Sequence, residues 1–350
     1  MPTKTAILDQ CARYPALVPR DLLKFLHQSV FGPGHLVTDD AGGLAFLRAE
    51  GERSADARGL EPLDGPFVRC HLGLLRAGLS PETLWRCFRL SAQVPAGSRA
   101  DLEEKLADAL DLAGEGLLPF SYEDLSAAVE AWRTDGFPAQ RHSEAFRAAY
   151  APAYRVLHKD HAWMLPLLTA IDRSLTSGRP ILAAIEGGSA SGKTTLAARL
   201  QRIYGCPVLH MDDFFLQPHQ RTAERLNTPG GNVDHERFLE EVLLPCRAGQ
   251  PIRYRPWDCR TQSLQDPVEV PPAPLTIVEG AYSCHPALRA HYDLTAFLSI
   301  SPALQRRRIQ TRNTPDFQER FFSTWIPLEQ RYFDAFGIPA ACDLTLEVEE

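Results

Sequence analysis

Nowhere in the 350 residues does an apolar run approach the roughly 20 residues that a bilayer-spanning helix needs, so a membrane role is not expected. The first residues, MPTKTAILDQCARYPALVPRDLL, lack the continuous hydrophobic centre and small-residue cleavage site of a signal peptide. Eight cysteines are scattered without a CxxC pair or regular spacing. That argues against a disulfide framework or a structural zinc site and reads as reduced, buried thiols, so a cytoplasmic location is expected. His158 and His161 in HKDH have the spacing of one helix face but no further ligands nearby, as surface histidines do. Positive charge is not in excess: the net charge is −7, and no nucleic-acid or anionic-membrane partner is expected. No internal repeat is evident.

What is present is the balance of a globular protein, 44% hydrophobic and 23% charged, with enough chain for two domains. Up to about residue 175 the pattern is helical. DLLKFLHQSV, PETLWRCFRLSAQV, RADLEEKLADALDLA, SYEDLSAAVEAWRT and WMLPLLTAIDRSL place apolar residues three and four apart, several behind a Ser, Asp or Pro cap. TSGRP (176–180) is a turn-rich break, which predicts a mainly α-helical domain over 1–175 and a second domain over 181–350. Beyond the break, short apolar runs (ILAAIEGG, PVLHMD, PLTIVEGAY, TAFLSI, DLTLEV) alternate with helical segments. This is the pattern of an α/β layer fold with a mainly parallel sheet flanked by helices.

GGSASGKT, Gly187 to Thr194, fits GxxxxGK[ST] and has the right context, a hydrophobic strand before it and a helix after it. Such a loop lets backbone N–H groups wrap phosphate oxygens, with the helix N-terminus adding favourable partial charge. Gly187, Gly188, Ser189, Ala190, Ser191, Gly192, Lys193, Thr194 and Thr195 are therefore the expected ATP-binding residues. Lys193 is expected to reach the β- and γ-phosphates, and the Thr194 hydroxyl to bind Mg²⁺. The bland alternative is a glycine turn before an ordinary helix.

HMDDFF, NVDHERF (232–238), VEGAY (278–282) and RRRIQTRN (306–313) follow the phosphate loop in order. Together they resemble the uridine kinase, phosphoribulokinase and pantothenate kinase superfamily over roughly residues 181–350, closest to uridine kinases. The resemblance implies a P-loop NTPase fold with a parallel five-stranded sheet, and ATP γ-phosphoryl transfer to a substrate hydroxyl. It implies that Asp212 accepts the hydroxyl proton close to the metal, and that Glu279 completes a Mg²⁺ shell with Thr194 and Asp212. Arg308 and Arg312, four apart on one helix face, would be lid arginines neutralising charge on the transferred group, whereas Arg306 and Arg307 read as a solvated face. Asp234 is the candidate for gripping substrate hydroxyls, although it is also a good N-cap, and Val233 and Glu236 depart from the family pattern.

PIRYRPWDCR (251–260) stands where uridine kinases carry a hairpin near the base. Tyr254 fits that pattern and Arg260 joins it as a candidate substrate contact, but Trp257 and Asp258 depart from it and put uridine itself in doubt. A nucleoside, another polyol or an anionic metabolite all stay open as the hydroxyl substrate.

In the first half, which resembles no named family, His35, His142, Glu144, Arg147, Tyr150, Tyr154 and Arg155 concentrate in two short segments. They could build a second small-molecule pocket, cover the kinase site, or pack one domain on the other, and domain packing is the leading expectation. A non-enzymatic alternative is a nucleotide-dependent regulatory module with the helical half as effector. An oligomer is left open by the aromatic stripe of WIPLEQRYFDAF, which suits core or interface.

Overall fold

The structure, a computed structural model, describes residues 3–34, 40–54 and 58–349. Two units emerge, Met1–Thr169 and Ala170–Glu350. Helices of the first are α1 (Thr3–Arg13), α2 (Pro19–Phe31), α3 (Asp40–Arg53), α4 (Pro81–Ala92), α5 (Arg99–Gly114), α6 (Tyr122–Thr134), α7 (Glu144–Tyr150) and α8 (Lys159–Ala162); α9 (Leu165–Leu175) carries the division point. Ser80, Ser98, Ser121 and Ser143 cap α4, α5, α6 and α7, each side chain accepting a backbone N–H of the first turn. The apolar stripes then meet: Leu22, Phe25 and Leu26 of α2, Leu102 and Leu106 of α5, and Leu125, Val129 and Trp132 of α6 share one core.

The first half is mainly helical, as expected, but it also carries a small sheet. β1 (Leu60–Pro62), β2 (Phe67–His71) and β3 (Tyr154–His158) make an antiparallel sheet. Helix α7 stops at Tyr150, because Ala151 turns left-handed (φ 40°) and Pro152 cannot continue a helix. His35, grouped with these residues by sequence, lies outside the described residues.

All of β2 is buried, including Arg69 and His71. Glu61 makes that tolerable: its Oε1 accepts from Arg69 Nη1 (2.7 Å), and its Oε2 from Tyr14 Oη (2.5 Å) and the His71 ring (3.0 Å). Burial pushes the Glu61 carboxyl up, but His71, Arg69 and Tyr14 outweigh it and hold it at about 2. Asp21, fully buried, meets His142 Nδ1 at 3.0 Å, and His142 Nε2 meets Tyr154 Oη at 2.6 Å. Burial, opposed by Asp21, lowers His142 from 6.5 to about 4.

The unfolded chain takes up this proton near 6.5 and the folded chain only near 4, so the contribution is fully present above pH 6.5. As pH falls from 6.5 to 4 the unit should lose about 3 kcal/mol. Hydrogen exchange of the β3 amides across that window checks this, and unchanged protection would contradict it.

The second unit is built on a five-stranded parallel sheet of β4 (Ile181–Gly187), β5 (Val208–His210), β10 (Leu275–Glu279), β11 (Leu294–Ile300) and β12 (Leu344–Val348), in the order β12-β11-β4-β10-β5. Between β5 and β10 lie two hairpins, β6 (Ile252–Tyr254) with β9 (Val268–Val270) and β7 (Trp257–Asp258) with β8 (Ser263–Leu264). The helices are α10 (Lys193–Tyr204), α11 (Ala223–Asn227), α12 (His235–Phe238), α13 (Leu244–Arg247), α14 (Pro286–Arg289), α15 (Pro302–Arg312), α16 (Pro315–Arg320), α17 (Ile326–Phe336) and α18 (Ile338–Ala341). β4 and β10 are wholly buried, as apolar strands covered on both faces must be.

Two wide π-turns, Leu239–Leu243 and Phe321–Trp325, immediately precede Leu244-Pro245 and Ile326-Pro327. A proline ring removes the donor and crowds the carbonyl four residues back, and the wider turn relieves that conflict. The sequence predicts uninterrupted helices at both places. Central β4 has β10 on one side and β11 on the other, so the strand order reverses at its carboxyl end, where open α/β sheets bind ligands. The whole is a P-loop NTPase-type α/β fold.

Candidate functional site

β4 ends at Gly187, and the chain wraps back before α10 starts at Lys193. Gly187 (φ 151°) passes so close to β11 that a Cβ there would lie 2.9 Å from the Leu298 carbonyl oxygen. Gly192 (φ 102°) makes the left-handed turn into the helix. Ala190, a non-glycine at φ 61°, adds local strain of the kind that gathers at ligand sites. Lys193 Nζ curls over the loop and donates to the carbonyls of Gly187 (2.8 Å) and Gly188 (2.9 Å).

Two helices from the far end of the chain brace this loop. Glu329 of α17 accepts from Ser189 N (2.8 Å) and Ser189 Oγ (2.6 Å). Gln305 of α15 donates to the Ser189 carbonyl (2.8 Å), and Arg308 Nη1 to those of Ala190 (3.2 Å) and Ser191 (3.3 Å). Burial raises the Glu329 pKa against the pull of Lys193 and the Ser189 donors. The Ser191 hydroxyl is buried without a hydrogen-bond partner. Glu329 and Gln305 carried no sequence signal.

The carboxylates gather at the ends of neighbouring strands. Parallel pairing sets Glu279 of β10 opposite Ile185 of β4 and His210 of β5. Glu279 Oε1 accepts from Thr194 Oγ1 (3.1 Å) and pairs with His210 Nδ1 (2.6 Å). The Glu279 hydrogen bond raises the His210 pKa, while burial opposes it.

Asp212 follows in the short 3₁₀ turn Met211–Phe214 and is open to solvent. Crowding by protein atoms raises its pKa, Lys193 lowers it, and Glu279 and Asp213 raise it further. Crowding and exposure are compatible at the floor of an open crevice. Thr194, Asp212 and Glu279 offer only hard oxygen donors, which fits Mg²⁺ with phosphate and water completing the shell. Among the described residues no group of three His, Cys, Asp or Glu side chains is arranged to hold a metal by itself.

Asp212 and Asp213 sit in this turn rather than in a strand, because the strand stops at His210. Asp213 Oδ2 accepts from Tyr254 Oη (2.9 Å), and the Asp213 carbonyl from Arg237 Nη2 (3.0 Å). Tyr254 is buried and packs on Phe214 with ring centroids 5.0 Å apart, so its hydroxyl is engaged in holding the Asp213 loop. Asp234 is buried too. It caps α12, its Oδ1 accepting from Arg237 N (3.1 Å) and its Oδ2 from Gln220 Nε2 (2.7 Å).

Arg260 is 93% exposed and lies 3.6 Å from Asp258. Arg312 is exposed on the last turn of α15, and Arg306 lies over Phe322 at 4.4 Å. Thus Gly187–Thr195, Asp212, Glu279 and Arg308 converge, whereas Tyr254 and Asp234 serve the scaffold and Arg260 and Arg312 reach into solvent.

Glu186 is the one carboxylate within the otherwise apolar strand β4. It is fully buried and accepts from Gly187 N (2.9 Å), Tyr282 N (3.1 Å), Cys284 N (2.9 Å) and Tyr332 Oη (3.1 Å). Burial brings its pKa to about 7 despite these donors. It ties the phosphate loop to the segment after β10. Glu186→Gln would place an NH₂ group against donors, and should lower stability by about 1–3 kcal/mol. Urea denaturation measures this, and an unchanged midpoint would contradict it.

No family model matches the chain, and no curated protein matches it. Among solved structures it is similar to a possible uridine kinase from Bacillus stearothermophilus at 18% identity and TM-score 0.38, over 52% of this chain and 99% of that one. It is similar to a Silicibacter sp. TM1040 protein provisionally assigned as a fructose transport system kinase, at 21% identity and TM-score 0.39, over 48% of this chain and 89% of that one. TT1252 from Thermus thermophilus matches at 19% identity and TM-score 0.27, over 49% of this chain and 90% of that one. The P-loop architecture therefore stands on this chain's own strand order, loop geometry and Lys193.

Proposed function

We propose that the chain is a cytoplasmic, Mg·ATP-dependent small-molecule kinase, uridine kinase-like, that transfers the γ-phosphoryl group to a hydroxyl of a nucleoside or related polyol. The observation that carries the reading is the meeting of three strand ends. The phosphate loop leaves β4, Glu279 closes β10, and Asp212 follows β5, with Thr194 hydrogen-bonded to Glu279.

In this reading the loop N–H groups and Lys193 hold the phosphate oxygens. Arg308, fixed on the loop carbonyls, adds positive charge beside the transferred group. Asp212 takes the acceptor proton, and its raised pKa makes it a better base than a free aspartate. Thr194, Glu279 and Asp212 would hold Mg²⁺, which when bound neutralises phosphate charge. His210, whose pKa the bond to Glu279 raises, orients that carboxylate.

The alternative is a nucleotide-dependent regulatory module with the N-terminal unit as effector, favoured by the cavity of that unit. ATP consumption over a panel of nucleosides, polyols and vitamin precursors separates the two. Acceptor-stimulated turnover is expected. ATP binding with no acceptor response across the panel would favour the module.

A further inference from the structure

The N-terminal unit has an open cavity of about 270 Å³ that the kinase chemistry does not use. Its apolar wall is aromatic. Trp85 and Phe88 of α4 stack with centroids 5.4 Å apart, and Phe46 of α3 stands 61% exposed beside them. The remaining wall is polar, formed by Lys24 and Gln28 of α2, His142, and Tyr154 and Arg155 of β3.

The polar groups of this wall differ in their direct partners. Arg155 Nη1 is paired with Glu50 at 2.7 Å, and His142 with Asp21. Lys24 Nζ rests on the Gln140 carbonyl at 2.8 Å and has no ion pair among the described residues. Burial, and then the nearby Arg69 guanidinium, bring Lys24 down to about 8, with Asp21 opposing and Arg20 adding to the effect. An ammonium that is half-buried beside a cavity without a direct carboxylate partner is stabilised by an incoming anion.

Behind the cavity runs a chain of buried polar groups. Asp21 meets His142, His142 meets Tyr154, and Arg69 joins Gln28 (3.0 Å) to Glu61 (2.7 Å). With Asp21 ionised and His142 neutral, His142 carries its proton on Nδ1 toward Asp21 and accepts the Tyr154 hydroxyl at Nε2. The Tyr154 hydroxyl also lies 3.3 Å from Gln28 Oε1. Apolar replacement of a buried charged network is often neutral or stabilising, and perturbed groups beside a cleft mark candidate ligand sites.

We propose that this cavity is a second small-molecule site, taking a single-ring compound that bears a carboxylate or phosphate group. The ring lies against Trp85 and Phe88, and the anion is received by Lys24 and Arg155. The volume lies just under the range of about 300–1,000 Å³ typical of drug-sized ligands, which limits the occupant to one ring. The proposal is independent of the kinase reading, because every residue it uses belongs to the first unit.

Methyl NMR of the full chain tests it, with the Val156 methyls reporting this cavity and the Leu298 methyls reporting the neighbourhood of the phosphate loop. The probes are benzoate, phenyl phosphate and, as the neutral control, benzyl alcohol. Saturable Val156 shifts with at least one anion are expected; benzoate alone assigns a carboxylate ligand, and phenyl phosphate alone a phosphate. Lys24→Met should weaken that binding about tenfold or more. Arg155→Gln is the second variant, with the same expected direction, should Lys24→Met fail to fold. Three results would overturn the proposal: Val156 methyls unmoved by both anions, benzyl alcohol shifting them as strongly, or unchanged affinity in the folded variants.

Discussion

Asp212→Asn is expected to lower kcat on the order of 10²- to 10⁴-fold while ATP affinity stays within a few-fold of wild type. The amide keeps the shape of the carboxylate but cannot accept the acceptor proton. Its neighbours define the test more sharply. Crowding, Glu279 and Asp213 raise the Asp212 pKa, and Lys193 opposes them. The wild-type rate should therefore fall on the acid side at a pH above the ordinary aspartate range, and that limb should vanish in the variant. Steady-state kinetics beside calorimetric ATP titration separates the two quantities. Wild-type turnover in Asp212→Asn would remove it as the base.

Lys193→Met is expected to lower kcat on the order of 10²- to 10³-fold and to weaken nucleotide binding as well. Its ammonium holds the Gly187 and Gly188 carbonyls and sits close enough to Asp212 and Glu329 to lower the pKa of both. Removing it takes away a phosphate contact and lets both carboxyls titrate higher. The two variants thus differ in kind: Asp212→Asn spares ATP binding and Lys193→Met does not. Equal ATP affinity in the two would contradict the assignment of Lys193 to the phosphates.

Where chemistry is encoded by neighbours in sequence, it was legible. The phosphate loop is contiguous, and the apolar runs ending in Gly187, His210 and Glu279 mark three strand ends that the parallel sheet brings side by side. Glu329 and Gln305 were not legible, because α15 and α17 reach the loop only through tertiary packing. Glu186 had a visible signal, a lone carboxylate in a buried strand, which calls for a set of donors.

The N-terminal sheet was hidden for a different reason. β2 is buried at every position and includes Arg69 and His71, so neither alternation nor an apolar run betrays it. Tyr254 and Asp234 have the right residue types at the right places, but their polar atoms are engaged by Asp213, Gln220 and the α12 N-terminus.

The most direct test is mass spectrometry of acceptors incubated with Mg·ATP and the full chain, run in parallel with Asp212→Asn and Lys193→Met. The expected result is one acceptor that gains a single phosphoryl group with wild type and with neither variant. Tight ATP binding without any phosphorylated acceptor, or product formed equally by Asp212→Asn, would contradict a kinase that works through this carboxylate.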